Sequence, residues 1–324
     1  MISNYILITL VGGIALSFLL ADPPNRIHPI SWLGKLVNYF MPKLKHKSSL
    51  KKERLKGIVF TLTLTFGISV ASYYFSVALY KIFGIFALLI YSLLVLKFTM
   101  AILTLERHVN AVTNALQEKN LIDARKKLSY IVGRKTEPLD REHIISATIE
   151  SIGESVVDGI GSPLFYYSLF GPSGAIAYRI INTLDSMIGY TDKYHYEIGW
   201  MAAKLDTISN YLPARLCGLL LVVSAKIVGA DWKNSILVMR MDHNNTPSRN
   251  GGYPMSALAG ALRVRLEKVG FYVLGTNIEP LSIEKCNNAL RMVKLSVILF
   301  LVFISIPMVL LLSLIGWWDM LYGF

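Results

Sequence analysis

Four long apolar runs constrain this chain more than any other feature. A helix that crosses the hydrocarbon core of a bilayer needs about 20 consecutive, mainly apolar residues. Ile2 to Ala21 and Ile58 to Tyr80 meet that requirement with no charged residue, Ile82 to Leu105 with Lys97 alone, and Leu295 to Trp318 with a kink expected at Pro307. No basic residue precedes or lies within 1–21, so the first run reads as a retained helix and not a signal peptide. Only 17% of the 324 residues are charged, against about 25% in soluble domains. The expected fold is all-α: a polytopic helical membrane protein with a largely helical cytoplasmic segment.

Charge gives the orientation. The stretch 22–57 holds nine lysines and arginines, whereas the turn between the second and third runs holds only Lys81. The positive-inside rule places 22–57 in the cytoplasm. The chain then divides into an N-terminal membrane region, 1–105, with spans 2–21, 58–80 and 82–105; a helical cytoplasmic or membrane-associated region, 106–294; and a C-terminal span and tail, 295–324. Residues 212–230 are apolar but short, and stand open as a buried helix, a re-entrant segment or an extra span. The net charge of +12 sits at membrane boundaries without interleaved aromatic stacking residues, so nucleic-acid binding is not expected. Cys217 and Cys286 have no metal-ligand spacing and read as small core residues.

Within 106–294, helix follows helix, with caps expected at Asn120, Asp140 and Ser282 and few or no strands. Five places there and at the first membrane exit concentrate chemistry. Glu150, Glu154 and Asp158 are four residues apart and share a helical face; like charges so placed repel, and a Mg²⁺ ion would relieve them. The bland alternative is a solvated acidic face. Asn182 and Asp185 are polar positions on an otherwise apolar helix, which demands partners, structural or functional. Asp206 and Asn210 share a face, and Arg215 follows Pro213, either to clamp a phosphate or to anchor at the membrane surface. The loop holding Asn250 and Gly251 opens a helix, a natural anion site. Asp22 and His28 lie among prolines directly after the first span. No phosphate-binding glycine loop, dinucleotide fingerprint or zinc-protease motif occurs.

The same patches, in the same order, resemble the adenosylcobinamide-phosphate synthase family. The resemblance runs through Ala21-Asp22-Pro23, His28-Pro29-Ile30, Ser129 to Arg134, Ala147 to Ser155 with Asp158-Gly159, Asn182-Thr183-Leu184-Asp185-Ser186, Ala203 to Asp206, Leu212 to Leu216 and Ser248 to Met255. Ala21 stands where the family has Gly, Ser155 where it has Asn, and Arg249 where it has Pro; no role is assigned to position 155. The resemblance implies an ATP-dependent ligase of cobalamin biosynthesis that joins adenosylcobyric acid to aminopropanol phosphate or free aminopropanol. Assigned by residue type, Glu150, Glu154 and Asp158 would hold Mg²⁺ on ATP, with Glu154 also catalytic. Asp185 or Asp206 deprotonates the amine. Arg134 and Arg215 bind phosphate, and Asn182, Asn250, Asp22 and His28 contact substrate. The lipid bilayer is an expected partner; other late cobalamin-assembly enzymes and a second copy of the chain are candidate ones. A non-catalytic membrane sensor of the same superfamily and a small-molecule transporter are the rival readings. A transporter would place polar residues inside the spans, where only Lys97 is found.

Overall fold

The computed structural model describes residues 2–24, 26–45 and 49–322. In chain order the helices are α1 (Ile2–Leu19), α2 (Pro29–Lys45), α3 (Leu50–Phe83), α4 (Ile85–Thr99), α5 (Ile102–Gln117), α6 (Leu121–Leu128) and α7 (Arg141–Val156). A π-helical turn, Val157–Gly161, follows α7; then come α8 (Ser162–Ile188), α9 (Trp200–Ser209), α10 (Tyr211–Ile227), α11 (Trp232–Asp242) and α12 (Arg249–Leu262). Strands β1 (Leu266–Lys268) and β2 (Tyr272–Leu274) pair antiparallel, Lys268 opposite Tyr272. The chain closes with α13 (Ile283–Phe300), a second π turn (Leu301–Ser305), α14 (Ile306–Leu314) and α15 (Trp317–Tyr322). The protein is an all-α polytopic membrane protein with this one small hairpin.

Among the described residues three helical runs are long and apolar enough to cross a membrane: Leu50–Phe83, Ile85–Gln117 and Ile283–Leu314; α9 and α10 taken together would add one more, whereas the expected first span, 2–21, is a shorter apolar helix, Asn4–Leu19. The boundaries differ from those read off hydropathy. The third run breaks at Met100, where the backbone turns extended between α4 and α5. The last run carries its irregularity as the π turn directly before Pro307, and Trp317 and Trp318 leave it for α15. A proline lacks an N–H and crowds the preceding turn, and a π turn accommodates that. α12 ends at Leu262, and Leu266–Lys268, in a region expected to be helical, forms β1. The three expected caps form: Asn120, Asp140 and Ser282 accept the backbone N–H groups of Asp123, His143 and Lys285.

The chain packs as two compact units. The first comprises Met1–Ala101, Ser162–Asn210 and Phe303–Phe324, the second Ile102–Gly161 and Tyr211–Val302. This grouping cuts across a division by hydropathy, because α8 and α9 pack with the N-terminal helices. In the first unit α2 presents Leu33, Val37 and Met41, one turn apart, to Ile180, Leu184 and Ile188 of α8 and to Ile198 and Ala202. In the second unit α7 is buried at every position from Ile144 to Gly153. The interior half of α12, Pro254 to Leu262, is equally enclosed.

Gly57 of α3 marks a close backbone crossing, since a Cβ there would lie 2.1 Å from the Ile198 carbonyl oxygen. Gly57→Ala should therefore destabilise the protein by about 1–3 kcal/mol. Gly67→Ala, on the same helix with nothing within 4 Å, should hold or raise stability by up to about 1 kcal/mol. Thermal melts of both variants in one detergent check the contrast.

Candidate functional site

The first unit gathers the polar residues of α8 and α9. Asp206 has both carboxylate oxygens occupied: Asn182 Nδ2 donates to Oδ1 at 3.4 Å and Asn210 Nδ2 to Oδ2 at 3.0 Å. Asn210 is held in turn by Ser162 at 2.6 Å and by the Tyr178 hydroxyl at 2.9 Å, both donating to its Oδ1. Arg179 donates to Asn182 Oδ1 at 3.2 Å, which fixes that amide with its NH₂ toward Asp206. α8 thus satisfies Tyr178 and Asn182 through α9 and its C-terminal Asn210, as burial requires.

Asp185, one turn beyond Asn182, stands differently. No side chain or amide among the described residues donates a hydrogen bond to its carboxylate. Burial, and then the negative charge of Asp206, push its carboxyl up to about 7. Gly189 is part of this arrangement: a Cβ there would lie 1.9 Å from Asp185 Oδ1. That contact gives Gly189, directly after α8, a physical reason.

At the exit of α1, Asp22 forms an ion pair with Lys97 at 2.5 Å, and Lys97 is only 6% exposed. The lone charge in the third apolar run is therefore neutralised. His28 packs edge-on against Phe98 and accepts the Ile30 N–H at Nδ1, which leaves its proton on Nε2 when neutral. Burial lowers its pKa, Arg179 and Lys97 adding to this and Asp22 opposing it.

The second unit holds the other cluster. Glu150 is 4% exposed and receives three side-chain donors: Arg134 at 2.9 Å, the Tyr272 hydroxyl at 2.7 Å and Ser146 Oγ at 2.8 Å. Ser146 also accepts the Glu267 N–H at 2.8 Å, which ties the hairpin to α7. Glu154, one turn on, is reached by solvent. The protein crowded around it still raises its carboxyl above the usual range, the charge of Glu150 adding to this and Lys268 and Arg134 opposing it. The first turn of α12 lies beside it, where a Cβ on Gly251 would be 3.6 Å from Glu154 Cγ. Asn250 is buried in that turn, and Ser248 caps it by accepting the Gly251 N–H at 3.3 Å. Arg215 of α10 lies over the rings of Tyr211 and Tyr253, 3.5 and 4.6 Å from their centroids, and donates to the Tyr211 carbonyl at 2.5 Å.

The expected triple-carboxylate metal site does not assemble. Among the described residues no three His, Cys, Asp or Glu side chains are placed to share an ion. Glu150 is neutralised by Arg134 and saturated by three donors, and Asp158 falls on the π turn, where its charge acts on Cys217 of α10. The regular four-residue spacing ends with α7, so the shared face ends at Glu154. Arg134, expected to bind phosphate, is committed to Glu150. Tyr272, Ser146 and Lys268 were not found by sequence reasoning; β1 and β2 are three residues each, too short for an alternating pattern.

The sequence profile of the family described as "CobD/Cbib protein" matches residues 10–302. The chain belongs to the CobD/Cbib family. Among its relatives is the "Probable cobalamin biosynthesis protein CobD" of Methanothermobacter thermautotrophicus, 38% identical over 90% of this chain and 94% of that protein. Proteins called "Cobalamin biosynthesis protein CobD" from Leptospira interrogans and Clostridium perfringens are 37% and 35% identical. They cover 90% and 89% of this chain, and 95% and 94% of their own lengths. No solved structure matches the chain. The two clusters thus belong to a CobD/Cbib protein, and both fall within the matched residues.

Two outcomes follow from this geometry. Arg134→Met leaves the Glu150 charge buried without its counter-ion and should cost about 3–5 kcal/mol, whereas Tyr272→Phe removes one donor and should cost about 1–3 kcal/mol. Chemical or thermal unfolding ranks the two. For Asp185 the folded-state pKa is above the unfolded one, so the folded protein holds the extra proton. Stability should fall as pH rises from about 4 to about 7. Asp185→Asn should flatten that part of the melting-temperature profile.

Proposed function

We propose that this CobD/Cbib protein acts in cobalamin biosynthesis as an adenosylcobinamide-phosphate synthase, joining adenosylcobyric acid to aminopropanol phosphate or free aminopropanol at the expense of ATP. The observation that carries the reaction type is Asp185, a half-buried carboxylate with no hydrogen-bond donor among the described residues and a pKa pushed up to about 7, beside the fully anchored Asp206. A general base works best when its pKa lies near the operating pH.

A carboxylate does not condense with an amine until one of its oxygens is made a leaving group. In this reading a substrate carboxylate oxygen attacks the γ-phosphorus of ATP and ADP departs. The amine, delivered as an ammonium, gives a proton to Asp185. Its nitrogen then forms the bond to the acyl carbon, and inorganic phosphate leaves with the former carboxylate oxygen. Burial raises the Asp206 carboxyl as well, but the amides of Asn210 and Asn182 oppose that rise, whereas Asp185 has no donor among the described residues, so Asp185 takes the base role. Arg215, with its guanidinium plane already set by two tyrosines, and Lys268 suit phosphate oxygens. Glu154 is the carboxylate of the acidic face left available to the Mg²⁺ that accompanies ATP, one carboxylate with substrate phosphates being a common Mg²⁺ environment. Asn250, Asp22 and His28 remain proposed substrate contacts. The reaction is placed on the cytoplasmic side of the cell membrane, in agreement with the basic stretch 22–57.

Purified protein in detergent, given adenosylcobyric acid, aminopropanol phosphate, ATP and Mg²⁺, should yield the condensed corrinoid by mass spectrometry. Asp185→Asn should lower kcat by about 10²-fold or more, and Glu154→Gln should abolish turnover without unfolding the protein. The wild-type kcat should rise with pH through about 7, because the ionised form of Asp185 is the active one. No product from folded protein, with the free amine also tried, would overturn the ligase reading.

A further inference from the structure

The first unit contains a hollow of about 630 Å³ that the proposed chemistry does not use. It lies between α2 (Trp32, Leu33, Leu36), α3 (Ile68), α4 (Tyr91 to Thr99) and α8 (Ile176 to Ile180). Its size is that of a small-molecule site, about 300–1,000 Å³, and its walls are almost wholly apolar. The few polar groups on the wall are spent inside the protein. Tyr91 shares a hydrogen bond with Ser72 at 2.8 Å, Thr99 donates to the carbonyls of Val95 and Leu96, and Trp32 Nε1 donates to the Arg26 carbonyl at 2.9 Å. Among the described residues Arg179, which also donates to Asn182, is the only charged side chain on the lining. A fitting occupant has a long apolar body with nothing to hydrogen-bond and an anionic end that can add to the partners of Arg179.

Three further observations say what that occupant is. Ile68 and Leu94, at the mouth, are exposed residues of the long apolar runs Leu50–Phe83 and Ile85–Gln117, so the medium at the opening is lipid. Water does not fill an apolar cavity, whereas hydrocarbon does. Along α4 the wall from Tyr91 to Phe98 spans seven residues of rise, about 10 Å, which fits within one leaflet of a core about 30 Å thick. Along its length α2 exposes Trp32, Leu36, Tyr39 and Phe40 beside its buried face, with Lys43 Nζ over the Tyr39 ring at 3.5 Å. An apolar aromatic stripe edged by lysine is the pattern of a helix lying at the headgroup level.

We propose that this hollow is a phospholipid site, in which an acyl chain of one membrane lipid fills the space between α2, α3, α4 and α8 and the lipid phosphate pairs with Arg179. Guanidinium and phosphate make charge-assisted hydrogen bonds, and Arg179 also orients Asn182, so the headgroup meets the side chain that orders the α8–α9 network.

The test is native mass spectrometry of protein released from nanodiscs containing phosphatidylcholine doped with phosphatidylglycerol or with uncharged diacylglycerol. Wild-type protein should retain one phosphatidylglycerol per chain and no diacylglycerol. Leu94→Trp and Ile68→Trp fill the mouth from exposed positions and should lose the lipid while melting like wild type. Leu311→Trp, on the exposed face of α14, should retain it. Arg179→Gln should lose the preference for phosphatidylglycerol over diacylglycerol. Equal retention by the Leu94 and Ile68 variants, or no stoichiometric lipid on wild type, would overturn the proposal. Displacement of the lipid by adenosylcobyric acid would also overturn it and give the hollow to the substrate. None of these readouts needs turnover, so they stand apart from the ligase assay.

Discussion

A charge removed from water has to be met by a partner or it does not stay a charge, and the polar architecture of this protein follows from that constraint. Lys97 sits near the end of an apolar helix because Asp22 reaches it at 2.5 Å. Glu150 is enclosed in α7 because Arg134, Tyr272 and Ser146 converge on it. Asp206 is tolerated between α8 and α9 because two amides, themselves held by Arg179, Ser162 and Tyr178, point at it. Asp185 departs from the rule: with no donor among the described residues, its carboxyl is pushed up to about 7 instead.

The departure separates two kinds of carboxylate that look alike in sequence. Glu150 and Asp206 are anchors, each with its oxygens spoken for. Glu154 lies one helical turn from Glu150, and Asp185 faces Asp206 from the neighbouring helix; both carry raised pKa values, with burial the larger cause and like charge the second. In each unit a hydrogen-bonded carboxylate thus adds to the burial that raises a neighbour left without such donors. A bare cluster of three carboxylates would instead have served as a cation site, and Arg134 and the π turn at Asp158 remove that option.

Much of the plan was legible in the chain. The long apolar runs, the caps at Asn120, Asp140 and Ser282, the helical character of 106–294 and the polar positions on α8 all depend on residues within a few places of one another. The family resemblance rested on collinear motifs of the same local kind. Less legible were the break at Met100, the π turns and the hairpin. Each is a local departure from regular helix that hydropathy averages away. Pairing is the least legible of all: the sequence around Arg134 invites a phosphate reading because nothing near it reveals Glu150, sixteen residues away, as its partner.

Sequence alone thus determined what kind of protein this is: an all-α membrane protein of the CobD/Cbib family, with its charge at the ends of apolar helices. Hydrophobic periodicity, helix capping and motif order are short-range properties, and the chain states them directly. Only tertiary structure decided which carboxylates are anchors and which are available. Tyr272 meets Glu150 across 122 residues, and Asn182 meets Asp206 across 24. Such meetings are set by how helices pack, and packing is a property of the whole fold that no local pattern encodes.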